Sequence, residues 1–158
     1  MQFSIEDQDA ETSPHPLSDA LTQLEQFAKF QGDEETSQWA MIELEGYLGK
    51  HANNCPDYRT VTLNYFDASG QVIPGLKEDY GSWSLLHGVR KLEMHAKNGL
   101  TLKLPAEVED FLSQACNGKV YGGHVPPNQI EVVLEAIRTE VTAKLQKLIP
   151  DPSSASST

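Results

Sequence analysis

Of the side chains in this sequence that could do covalent chemistry, the best candidate set is Cys116 with His124, with Asn117–Gly123 between them. A thiolate nucleophile needs a base within hydrogen-bond reach and a third group that orients the base. Nothing at a recognisable spacing supplies that third group, so a structural cysteine on a helix followed by a loop histidine is the expectation. His15, His51, His87 and His95 are isolated in the chain, whereas a metal site needs three or four His, Cys or carboxylate ligands to converge. Tyr121-Gly122-Gly123-His124 could wrap a small anion with its backbone N–H groups; a glycine-rich connector between helices accounts for the same residues. Walker A, GxGxxG, HExxH, CxxC and GxSxG patterns are all missing. The sequence therefore predicts a protein that is not an enzyme, with no catalytic residue, cofactor or metal.

The other chemistry-bearing feature is charge. Of the net −11, residues 1–57 carry −10, from 12 acids against Lys29 and Lys50, which leaves −1 for residues 58–158. A nucleic-acid binder needs a basic footprint to neutralise phosphates, so direct nucleic-acid binding is not expected. Concentrated acid suits a partner protein with a basic surface, because complementary fields speed encounter and set specificity. The same acid also serves solubility alone. The candidate contacts are Asp33, Glu34, Glu35, Glu43 and Glu45. Two cysteines, Cys55 and Cys116, are too few for a disulfide framework. With no basic leader and no long apolar run, the expected location is the cytoplasm, away from membranes.

Those acids must be positioned by helices. Leu17, Leu21, Leu24 and Ala28 form a stripe on a helix over 17–30 that Gly32 ends. A second helix opens at Asp33-Glu34-Glu35-Thr36 and runs to about Leu48, with Gly49 as its cap and Met41, Leu44 and Leu48 at helical spacing. The pair reads as an antiparallel helical hairpin with an acidic turn. Residues 1–16, acidic and ending Ser-Pro-His-Pro, read as a mobile N-terminus, and 150–158 as a disordered Ser-rich tail.

Sheet signals follow. Val61, Leu63 and Tyr65 alternate with Thr60, Thr62 and Asn64, and Asp67-Ala68-Ser69-Gly70 reads as a turn that sets Phe66 opposite Gln71 and Tyr65 opposite Val72. This hairpin, 59–74, is cut short by Pro74. In Val89–Pro105, Leu92, Met94 and Ala96 alternate with polar residues, as do Leu100, Leu102 and Leu104 after Lys97-Asn98-Gly99. Parity predicts a hairpin, 89–104, with a three-residue loop and Gly99 left-handed. Leu85, Val89, Leu92 and Ala96 also fit a helix that Gly99 would end, with Met94 off the stripe and Gly88 inside it at a cost of about 1 kcal/mol; the hairpin is the preferred reading. Trp83 is expected to tuck under the sheet, with display of Tyr80 and Trp83 to a partner as the alternative.

Pro105 opens a helix whose core face is Val108, Phe111, Leu112 and Ala115 and which Asn117-Gly118 ends. Lys119–Pro127 reads as a glycine- and proline-rich loop. The last helix, about Pro127 to Ile149, carries Ile130, Val133, Leu134, Ile137, Val141, Leu145 and Leu148 in a stripe and spans roughly 34 Å at 1.5 Å per residue. Packing across the sheet explains that stripe; a dimer seam through Ile137 and Val141 is the other use of it. The segment LPAEVEDFLSQACNG, Leu104–Gly118, resembles the Leu-Pro-x-x-Φ-x-x-Phe-Leu…Asn-Gly segment, with Φ apolar, of SUKH-type immunity proteins, over 15 of 158 residues. In that family the segment lies early and strands follow; here it lies late and a long helix follows.

The expectation is a single α+β domain over 17–149: an N-terminal helical pair, a small antiparallel sheet of about four strands and two C-terminal helices. Its expected function is non-enzymatic binding, as an inhibitor of immunity or anti-defence type that occupies a basic surface of a nucleic-acid-processing protein. The alternative is a structural or assembly subunit that homodimerises through its C-terminal helix.

Overall fold

The architecture was read from a computed structural model, which describes residues 16–149. Helix α1, Leu17–Gln31, buries Leu17, Leu21, Leu24 and Ala28, the stripe expected of it. Gly32, at φ +82°, ends it in a left-handed cap that an L side chain would strain. Helix α2, Glu34–Glu45, starts two residues later, with the Asp33 carboxylate accepting from the Thr36 N–H at 3.1 Å. It stops at Gly46 rather than running to Leu48, because Gly46 (φ +112°) turns the chain toward Leu86–Gly88. The expected stripe of α2 is therefore corrected. Met41 and Leu48 are 44% and 64% exposed, and the buried face is Ser37, Ala40, Glu43 and Leu44.

Two 3-10 turns, Gly49–Asn54 and Asp57–Arg59, lead into the sheets. Strand β1, Thr60–Thr62, pairs antiparallel with β3, Ser82–Ser84. Strand β2, Asn64–Phe66, belongs to a separate three-stranded sheet ordered β2-β5-β4, where β4 is Leu100–Leu102 and β5 is Gly122–Val125. The break at Leu63, whose N–H donates to the Gly81 carbonyl, lets one extended segment serve both sheets. Val61, Leu63 and Tyr65 all point inward, as the alternation predicts. Five strands in two sheets replace the expected four.

Both expected hairpins need correction. The 59–74 turn is one residue wider than parity suggested: Phe66 bridges Val72, and Asp67 Oδ1 accepts from the N–H groups of Ser69 and Gln71 and from the Ser69 hydroxyl. Those bonds hold the Asp67 carboxyl below its usual range, the Ser69 hydroxyl contributing most. The 89–104 hairpin does not form. Val89–His95 is helix α4, with Val89 and Leu92 wholly buried and Met94 turned to solvent. Gly88 sits at the N-cap, ahead of the helix, so the glycine penalty that weighed against this reading does not arise. Leu100–Leu102 pairs with β5 instead, setting Leu100 opposite Val125 and Leu102 opposite Gly123.

Lys119–Pro127 is likewise not a loop, since Gly122–Val125 is the central strand of the larger sheet. Its glycines look like strand breakers, but a Cβ on Gly122 would lie 2.8 Å from Phe66 Cζ, and one on Gly123 would lie 3.0 Å from Leu63 Cδ1. Neighbouring side chains lie across the backbone there, which only glycine tolerates. Helix α3, Leu76–Tyr80, is short and Trp83 packs partly buried against the core. Helix α5, Ala106–Cys116, follows Pro105 and ends at left-handed Asn117. Of its expected core face only Leu112 is buried; Phe111 is 55% exposed, edge-on to the Tyr80 ring. The last helix, α6, Pro127–Leu148, matches its expected span and buries Ile130, Val133, Ile137 and Val141.

The whole is a single α+β domain with one core, in which α1, α2, α4 and α6 pack together and against the strands. Residues 1–15 and 150–158, and with them the readings of a mobile terminus and a disordered tail, lie outside the described residues.

Candidate functional site

The acidic residues separate into two groups. Asp33, Glu34 and Glu35 sit where α1 turns into α2, the closed end of the helical hairpin. Asp33 is tied down as the helix cap: its second oxygen accepts from the Thr36 hydroxyl at 2.6 Å, and the Thr36 bonds hold its carboxyl below the usual carboxylate range. Glu34 and Glu35 are exposed. Cations border this end. Lys144 and Lys147 of α6 face Asp33 and Glu35 across a groove of about 560 Å³ floored by Trp39 and Tyr47, and the Lys144 ammonium sits 4.8 Å from the centre of the Trp39 ring. On the other side Glu34 shares a groove with Lys29 and Lys50, and Lys29 is 3.7 Å from Glu25. The acid of the closed end thus alternates with lysines rather than standing alone.

Glu45 is exposed at the far end of α2. Glu43 must be withdrawn as a surface contact, because it is 0% exposed. Spacing explains why: Ala40, Glu43, Leu44 and Tyr47 share the inner face of α2 and its exit. Glu43 Oε1 receives two bonds from Arg59, at 2.9 Å from Nε and 2.6 Å from Nη2, and Arg59 is also 0% exposed. Glu43 Oε2 accepts from the Tyr47 hydroxyl at 2.5 Å and from the Tyr58 hydroxyl. The remaining guanidinium protons go to the carbonyls of Leu85, His87 and Glu43, and the plane lies over the Tyr47 ring. Trp39 Nε1 donates to Tyr58 at 3.2 Å, linking the network to the groove floor. Every buried polar atom of the pair is thereby satisfied, the condition for tolerating a charge pair in a low-dielectric interior. Burial and the Glu43 contact push both phenols above the ordinary tyrosine range, so they stay protonated donors.

This network was not legible beforehand. Arg59 read as the first residue of a strand, and only the Glu43–Tyr47 spacing of four residues hinted that they share a face. Next to it lies His87, whose buried Nδ1 has no partner among the described residues. Burial, then the neighbouring Lys91, His95 and Arg59, hold its imidazole below the ordinary value of 6.5. A base with a depressed folded pKa binds fewer protons than the unfolded chain, so stability falls as pH drops through 6.5 and levels off at the folded value. Replacing His87 by Gln is expected to flatten the slope of unfolding free energy between pH 7 and the acid side of that window. Urea melts of both proteins at matched pH test this; parallel curves would remove His87 from the account.

Cys116 and His124 are not joined. The thiol lies 3.8 Å from the carbonyls of Ser113 and Gly118, while His124 Nδ1 lies 3.2 Å from Thr101 Oγ1 on the neighbouring strand. His95 is the last residue of α4. Tyr121–His124 spends its backbone in strand pairing rather than in a cradle for an anion. Ile137 and Val141, named for a dimer seam, are buried in the core. Among the described residues no cluster of three His, Cys, Asp or Glu side chains suits a metal ion, and no helix is long and apolar enough to cross a membrane.

A protein-family model described as AbiTii matches residues 7–152. The SUKH-like segment falls inside that match, and its signature is what α5 needs locally: proline at the start and left-handed Asn117 at the end. No curated protein and no solved structure matches the chain.

Proposed function

Because the chain belongs to the AbiTii family, a group related to abortive infection and defence against phage, we propose that it is a non-enzymatic binding module of that defence role, which docks its acidic hairpin end onto a basic surface of another protein. The finer reading is an inhibitor, of immunity or anti-defence type, whose target processes nucleic acid and therefore carries a basic cleft. One observation carries it: Glu34 and Glu35 are presented to solvent at the tip of a hairpin whose base is locked by the Glu43–Arg59 pair. Carboxylates on a rigid mount lose little freedom on binding. With Glu43 buried and Asp33 serving chiefly as a helix cap, the contact narrows to Glu34, Glu35 and the far Glu45.

The test starts with a pull-down and mass spectrometry to identify the partner, followed by association rates at several salt concentrations. The on-rate is expected to fall with salt, and E34Q/E35Q to slow association by about tenfold at low ionic strength. An on-rate indifferent to both salt and the double substitution would sink the mechanism.

A further inference from the structure

At the open end of the hairpin, where Asp19 and Glu45 are exposed, helix α4 adds a cluster of cations. It is packed against that end: Glu93 Oε2 accepts from the Ser18 N–H of α1 at 3.2 Å, Gly46 bridges His87, and the Tyr47 N–H donates to Leu86. Glu93 is the only acid of α4 and is occupied there, capping an α1 whose own N-cap, Pro16, has no side-chain acceptor. What α4 turns to solvent is Arg90, Lys91 and the following Lys97 around Met94, which is 78% exposed. The ion pairs among the described residues use Lys29, Arg59 and Lys119, and none of these three. Arg90 and Lys91 also stand in the first turn of their helix, where the dipole disfavours cations, so helix stability does not explain them. Acid at one end of α2 and base beyond the other lie roughly 18 Å apart, the length of that twelve-residue helix.

We infer that the chain associates head to tail with a second copy of itself, the Glu34–Glu35 tip of one copy seated on the Arg90–Lys91–Lys97 surface of the next. Complementary charge at the two ends of one rigid unit makes this contact heterologous, so it builds rings or open chains rather than a closed two-fold dimer. The inference rests on the acidic tip proposed above and names one occupant for it. Net charge of −11 opposes the association at long range, which confines it to ionic strengths where distant repulsion is screened and the close contact is not.

Sedimentation velocity over a concentration series at 150 mM salt is expected to show weight-average mass rising with concentration. E34K/E35K and R90E/K91E should each abolish that rise, and an equimolar mixture of the two variants should restore it, since each then offers the charge the other lacks. Carbodiimide coupling of mixed ¹⁴N- and ¹⁵N-labelled wild-type copies should join Lys91 or Lys97 to Glu34 or Glu35 between copies. No rise in mass, no rescue on mixing, or coupling of those lysines only within one copy, for example to the acids of residues 1–15, overturns the inference. Circular dichroism of each variant confirms folding, and the wild-type coupling result stands independently of the variants. R90E/K91E should not slow association with the partner identified above; loss of self-association alone then leaves the acidic-tip reading intact, and loss of both with E34K/E35K traces to the tip.

Discussion

Arg59→Met is expected to lower unfolding free energy by about 3–5 kcal/mol, the usual result of stripping one member from a fully buried ion pair. For a chain of this size that corresponds to a fall in melting temperature of roughly 10–15 °C. Methionine replaces most of the volume of the arginine stem, so the loss isolates electrostatics rather than a cavity. It leaves Glu43 as a buried carboxylate supported only by Tyr47 and Tyr58, and leaves the carbonyls of Leu85 and His87 without their donor. Glu43→Leu should cost a similar amount for the mirror-image reason, an uncompensated guanidinium. The double substitution should cost clearly less than the sum, because neither charge then remains. Chemical denaturation of the four proteins gives the coupling energy directly. A melting temperature within 3 °C of wild type for Arg59→Met, measured with ~0.5 °C precision, would mean the pair is hydrated in solution, against the burial described above.

Gly88→Ala is the second large effect. A Cβ at Gly88 would lie 2.2 Å from the Leu44 carbonyl oxygen, 2.5 Å from the Glu45 carbonyl carbon and 2.8 Å from the Gly46 nitrogen. All three are backbone atoms, which cannot rotate away as a side chain would. The two segments must part, which breaks the Gly46–His87 bridge and strains the 2.8 Å bond from the Tyr47 N–H to Leu86. A loss of about 3 kcal/mol or more is expected, at the upper end for overpacking. The matched control is Gly118→Ala, whose Cβ would meet nothing nearer than 3.9 Å and whose φ is ordinary; its change should stay within about 0.5 kcal/mol. Hydrogen exchange at the Tyr47 amide reports the crossing itself. Unaltered protection there in Gly88→Ala would show that the segments accommodate the methyl.

Legibility in the sequence followed the range of the forces involved. Helices α1, α5 and α6 were read to within a residue or two, because an apolar stripe, a glycine or asparagine cap and a leading proline are local signals. The helix at Val89–His95 and the hairpin that seemed to replace it share the same apolar residues over seven positions, and periodicity cannot separate two periods over so short a run. What decided the matter is non-local: Leu100–Leu102 finds a partner in Gly122–Val125, where two glycines and a histidine leave Val125 as the one residue of a type that advertises a strand. Glu43 failed as a surface contact for a related reason. Charge is visible in sequence, whereas the arginine that neutralises it arrives sixteen residues later from another element. Glu34 and Glu35 stayed exposed, as their place in a turn suggests. Of the lysines that border them, Lys144 and Lys147 come from a helix more than a hundred residues away and had no signature near the acids.

The position of β5 in the chain has a consequence for biogenesis. Its partners β2 and β4 are complete by Leu102, yet neither touches the other, and both wait for Gly122–Val125 to enter between them. As the polypeptide leaves the ribosome, the helical hairpin can assemble from contacts close in sequence, while the three-stranded sheet must close a loop of more than fifty residues between Phe66 and Gly122. Translation arrested before Gly122 would release a product with two unsatisfied strand edges and no means of joining them, a species prone to pair with its neighbours.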